Sequence, residues 1–129
     1  MNRRGFLIVL AAGALAACAT AREDELMLTL RSYEAAVRWG MMDRAYEFMK
    51  QDPEHPIEAP PGVEQVRVTG YDRVSPVVPA GEKRYTVTAQ IRYVQLDRQV
   101  ERMLTDRQYW EWDEKGKRWV RSNAIPSFQ

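Results

Sequence analysis

Tyr85-Thr86-Val87-Thr88-Ala89-Gln90-Ile91-Arg92-Tyr93 decides the fold. Apolar side chains fall on every second position with threonine, glutamine or arginine between them, the period of a strand with one face on a core and the other in water. Upstream, Val66 and Val68 alternate in the same way with Arg67 and Thr69, and Val74 to Val78 extends that strand beyond Gly70, which marks a bulge. Pro76, Pro79 and Gly81 then give a turn before Lys83. Downstream, Met103 to Trp112 reads as a third long strand and Arg118 to Ser122 as a fourth. They are joined through Asp113-Glu114-Lys115-Gly116, whose glycine suits a type I turn with a glycine bulge. The result is an antiparallel meander of about four strands.

Before the meander the period is helical. Thr20-Ala21-Arg22-Glu23 fits a capping box, and Glu23-Asp24-Glu25 puts acid in a first turn where the helix dipole favours it. Leu26, Leu30, Tyr33 and Val37 recur on one face, and Arg38 followed by Gly40 gives a basic last turn and a left-handed cap. Asp43 starts a second helix through Lys50, unless Gly40 is tolerated within one long helix carrying Trp39, Met42, Tyr46 and Met49. Between Asp52 and Gly62, Pro53, Pro56, Pro60 and Pro61 exclude both helix and central strand. The fold class is therefore α+β, a helix or helix pair packed on a curved antiparallel sheet.

That element order, with Trp39-Gly40-Met41-Met42-Asp43-Arg44-Ala45-Tyr46 between the helices and Trp112 to Trp119 flanking the last turn, resembles the NTF2-like (SnoaL-like) superfamily over residues 23–123. The resemblance implies a curved sheet wrapped around the helices as a cone. A smaller helix-on-sheet roll of cystatin type fits the same order.

At the N-terminus, Arg3 and Arg4 precede an uncharged apolar run from Phe6 to Ala17, too short to span a bilayer but of signal-peptide length. The run ends in Leu15-Ala16-Ala17-Cys18, which resembles the lipobox of bacterial lipoproteins. The resemblance implies cleavage between Ala17 and Cys18, acylation of Cys18, and a membrane-held product. Arg3-Arg4-Gly5-Phe6-Leu7 also resembles a twin-arginine export signal, while the ordinary secretory route needs only the positive charge; both routes stay open. Ala19 in the second mature position points, by the same resemblance, to an outer membrane location in the bacterial envelope, facing the periplasm. Residues 1–17 are thus expected to be a signal peptide, 18–22 a lipidated N-terminus and short tether, and 23–129 one domain.

Removing Arg3 and Arg4 from the 19 basic side chains leaves 17 against 18 acidic ones, so no electrostatic case for nucleic acid survives. With its one cysteine committed to lipid, the domain is expected to hold together by packing, without disulfides. The sequence contains no nucleotide-binding glycine loop, nucleophile elbow or paired-cysteine motif, and no cofactor is expected. His55, the single histidine, sits in Glu54-His55-Pro56 without ligand partners at metal spacing, so no metal site is expected and the residue reads as an exposed loop position.

Asp97, Glu101 and Asp106 are candidates for acid–base work of the isomerase or dehydratase kind found among NTF2-like enzymes, but each lies among Arg98, Arg102 and Arg107 and reads more simply as a strand-surface ion pair. No catalytic residue is assigned. Trp110 and Trp112 share one strand face, and Trp119 joins them or faces away depending on a one-residue register. Core packing is the first reading of these tryptophans. The second makes them a pocket wall, with Tyr93, Arg107 and Gln108 as polar handles for a small apolar or anionic ligand. The functional expectation is a membrane-anchored module that binds a small molecule or an envelope protein, with the membrane reached through lipid on Cys18.

Overall fold

Alanine, leucine, arginine and glutamate dominate the chain around Cys18, and in the computed structural model, which describes residues 3–129 and side chains from Cys18 onward, one helix runs through it: α1 (Arg3–Arg38). The side chains of the predicted signal segment, Ala17 included, lie outside the described residues. The capping box expected at Thr20 does not form, because the helix continues through it; Glu23 instead accepts a hydrogen bond from the Tyr85 hydroxyl at 3.1 Å. Leu26, Leu30, Tyr33 and Val37 are buried, the one-sided burial that their spacing dictates. The helix ends as Gly40 foresaw. With φ of 73°, Gly40 lets its own N–H reach the Val37 carbonyl and the Met41 N–H reach that of Ala36, a Schellman cap. Among the described residues no helix is long and apolar enough to cross a membrane.

The second helix, α2 (Met42–Glu47), stops before the expected Lys50. The chain has a better partner there. β1 (Val66–Arg73), β2 (Val78–Pro79), β3 (Arg84–Gln95), β4 (Val100–Asp113) and β5 (Arg118–Arg121) form one antiparallel sheet in the order β1-β3-β4-β5, with β2 beside the start of β3. The outer edge of β5 binds the segment after α2: Arg121 N–H donates to the Phe48 carbonyl at 2.7 Å, and Lys50 N–H donates to the Arg121 carbonyl at 3.0 Å. Phe48 keeps helical dihedrals as the C-cap, and these bonds then pull Met49 into a parallel bridge with Arg121, which ends the helix.

The sheet curls strongly into a half-barrel, giving the α+β architecture of a helix on a curved sheet of about four strands. Register fixes what the concave side holds. Tyr85 stands opposite Trp110, Val87 opposite Gln108, Ala89 opposite Asp106, and Trp112 opposite Trp119. All three tryptophans therefore face inward, which resolves the register left open by the sequence. Trp110 packs edge-on to Tyr33 of α1 at 5.3 Å, and Phe48 lies 5.7 Å from the same tyrosine.

Two irregularities shape the sheet. Val68 pairs with Tyr93 and Gly70 with Arg92, so Thr69 is the extra residue of the bulge expected near Gly70. A Cβ at Gly70 would strike the guanidinium of Arg92, which lies across it. The last turn differs from expectation: the left-handed residue is Lys117, with φ of 52°, not Gly116. Gly116 is needed for space, since a Cβ there would stand 2.8 Å from Asp113 Oδ2.

Because the core begins at Leu26 and Trp119 Nε1 donates to the Arg22 carbonyl at 2.8 Å, a chain starting at Arg22 should unfold in one cooperative transition. Coincident fluorescence and circular dichroism curves would check this. In that background Trp110→Ala should lower the unfolding free energy by about 3–5 kcal/mol through the cavity it leaves, measured by urea titration.

Candidate functional site

Alternation along β4 carries Asp106, Gln108 and Trp110 onto the concave face, and alternation along β5 puts Arg121 beside them on the side of Trp119. Asp106, Gln108 and Arg121 are all buried. Such groups are tolerable inside only when every polar atom is answered. Arg121 Nη2 donates to Asp106 Oδ1 at 2.6 Å and Nη1 to Oδ2 at 2.8 Å, a two-point pairing of planar groups. Its remaining donors reach the Tyr33 hydroxyl at 2.8 Å and the backbone carbonyls of Asn123 and Ala124 at 3.1 and 3.0 Å. Gln108 closes the network: its amide N–H groups reach Asp106 Oδ2 at 3.1 Å and the Tyr71 hydroxyl at 2.7 Å, and its carbonyl accepts from Trp110 Nε1 at 3.0 Å.

The electrostatics follow. Burial works against the charge on Arg121, but the Asp106 carboxylate and the Tyr33 oxygen outweigh it and hold the guanidinium above its ordinary pKa. Burial pushes Tyr33 well above the usual tyrosine range, and pushes Tyr71 up to about 12 despite the Gln108 donor. Both hydroxyls keep their protons at neutral pH. Asp106 accepts three hydrogen bonds, two from its counter-ion, and this pairing is what makes its burial possible. The arrangement ties α1, the sheet and the C-terminal segment together.

The residues proposed from sequence as one pocket are divided. Trp110 and Trp119 are buried, Trp112 is half-buried 5.5 Å from Trp119, and Gln108 belongs to the internal network. Arg107 pairs with Thr88 on the convex face and is exposed, because it has the opposite parity to Gln108. Tyr93 is buried at the far end of β3, where its hydroxyl donates to the Gln129 backbone carbonyl at 2.6 Å and its ring meets Phe128 edge-on at 5.1 Å. The C-terminal segment thus fills the place a ligand was expected to take. Asp106 is not the surface ion pair expected of it, and its partner is Arg121 rather than Arg107. Asp97 does pair with Arg98, at 4.0 Å in the exposed β3–β4 turn. His55 is exposed and meets Asp52 at 3.3 Å. Among the described residues no group of histidine, cysteine and carboxylates is arranged to hold a metal ion.

Sequence reading missed Arg121, Tyr33 and Tyr71. Arg121 was within reach, since it lies two residues after Trp119 and must share its face once the tryptophan is placed inside. Binding space lies elsewhere. Four described cavities of about 220 to 640 Å³ open at the surface, and none of these four is lined by Asp106, Gln108 or Arg121.

Arg121→Met should destabilise the fold by about 3–5 kcal/mol, because Asp106 would be left charged and unpaired, and the double variant Asp106→Leu/Arg121→Met should recover much of the loss. Denaturant unfolding of the two single variants and the double would measure the coupling. No protein-family model, curated protein or solved structure matches this chain.

Proposed function

We propose that this chain is a bacterial envelope lipoprotein, anchored through acyl chains on Cys18 in the outer membrane and facing the periplasm, whose single α+β domain is a binding module for a small molecule or an envelope protein. The observation that carries the reading is the lipobox-like Leu15-Ala16-Ala17-Cys18 directly ahead of the folded domain. Exposure of Cys18 supports it, since an acylated residue must stand clear of the core. Only seven residues of helix separate Cys18 from Leu26, the first core residue, a rise of about 12 Å over eight steps. A domain so close to its anchor works at the leaflet, and two or more acyl chains give stable retention there. Binding is preferred over isomerase or dehydratase chemistry because the concave carboxylate is already paired with Arg121 and the interior is filled by the chain's own Ile125 and Phe128.

The test is Cys18→Ser in a bacterial host supplied with labelled palmitate. Wild-type protein should carry label and partition into the detergent phase, and the variant should carry none and appear in the soluble fraction or retain its leader. A variant that is still labelled and still membrane-bound overturns the anchor.

A further inference from the structure

We propose that the cavity enclosed by the proline loop, the β3–β4 turn and the C-terminal segment binds a small apolar molecule bearing an amide N–H and a carboxylate, the chemistry of the end of a short apolar peptide. This deepens the binding-module reading above and does not depend on the Cys18 anchor. The cavity lies at the opposite end of β3 from Tyr85, the residue that meets Glu23 of α1.

The cavity holds about 450 Å³, within the range of small-molecule sites. Pro60, Pro61, Val63, Val66 and Phe128 give it apolar walls. Those walls are tied in place. Gly62, with φ of 93°, turns the proline loop so that its carbonyl accepts from Gln65 N–H at 3.0 Å, and the Gln65 carbonyl accepts from Leu96 N–H at 2.8 Å. The loop and the β3–β4 turn are therefore one unit. Prolines lose little further freedom when a ligand arrives, which favours a preformed site.

Two polar side chains of that turn line the cavity, and each lacks something. Gln95 Oε1 is the one buried side-chain oxygen or nitrogen among the described residues without a hydrogen-bond partner. A buried acceptor without a donor loses its hydration and gains nothing in return. Rotation of the amide about its last side-chain bond is all that a donor in the cavity requires. Arg98 is largely exposed, and its ion pair with the adjacent Asp97 stretches to 4.0 Å, so its guanidinium has donors to offer an anion. The two are held at fixed spacing, because the N–H groups of Arg98 and Gln99 both donate to the Gln95 carbonyl, at 3.2 and 2.6 Å. One missing donor, one underused cation and an apolar wall define the ligand: an N–H, a carboxylate and a hydrophobic side chain on a small frame. A fatty acid lacks the donor. A phosphate-rich ligand would demand more than one cation.

The experiment is a two-dimensional NMR titration of the full-length chain carrying Cys18→Ser with N-acetyl-L-phenylalanine. Saturable shifts should appear at the amides of Val63, Val66, Gln95, Arg98 and Phe128. The analogue with oxygen in place of the amide N–H, and the carboxamide in place of the carboxylate, should each bind about tenfold more weakly or worse. Gln95→Leu should erase the preference for N–H over oxygen, and Arg98→Gln the preference for carboxylate over carboxamide, with both spectra otherwise unchanged. Absence of saturation, or equal binding of the three probes, overturns the proposal. Saturable shifts confined to another surface overturn this site while leaving the domain a binding module.

Discussion

The paired groups of Asp106 and Arg121 hold the layers of this protein to one another. β5 is only four residues long, and a strand of that length has little hold on a sheet through its ladder alone. Arg121 extends that hold in four directions: to β4 through Asp106, to α1 through the Tyr33 hydroxyl, to the C-terminal segment through two carbonyls, and to the residues after α2 through its own backbone. Removing two charges from water is costly, and the cost is offset only because each donor and acceptor is used. The same completeness leaves both Asp106 oxygens occupied.

Much of the fold was legible because strand and helix periods are local. Alternation from Tyr85 to Tyr93 announced both the central strand and its inward set, and Gly40 and Gly70 marked the helix end and the bulge where no other residue fits as well. Less legible were features set by partners distant in sequence. Met49 and Lys50 looked helical by themselves and left the helix where β5 offered them a partner in Arg121. Gly116 looked like a left-handed glycine, but Lys117 took that conformation and Gly116 made room for the Asp113 carboxylate. The candidate site residues divide between the two faces of the sheet. Parity alone puts Arg107 on the outer face, and only the pairing of Trp112 with Trp119 puts Arg121 on the inner one.

Filling the half-barrel has a functional cost. Tyr93, the one sequence candidate at the far end of β3, spends its hydroxyl and its ring on Gln129 and Phe128. A curved sheet wrapped on a helix encloses an interior, and here the chain's own aromatic and apolar residues occupy it. The cavity that remains at this end lies at the rim, where the proline loop and the β3–β4 turn meet the C-terminal segment. Rim sites change readily, since turn and loop residues carry little of the packing.

The backbone bonds between β5 and the segment after α2 have a consequence for solubility at high concentration. A sheet with two bare edges can grow by accepting strands from other copies, the route by which β proteins polymerise. Here Phe48 and Lys50 cover β5, while β4 before Arg107 has no strand beyond it and the β1–β2 side forms the other edge. That side is broken by the extra residue at Thr69, by Pro79 within β2, and by the Arg38 guanidinium, which occupies the Val68 carbonyl at 2.8 Å. A copy stacking on that side would find neither a straight template nor a free row of carbonyls, so growth of the sheet through β1 and β2 is blocked.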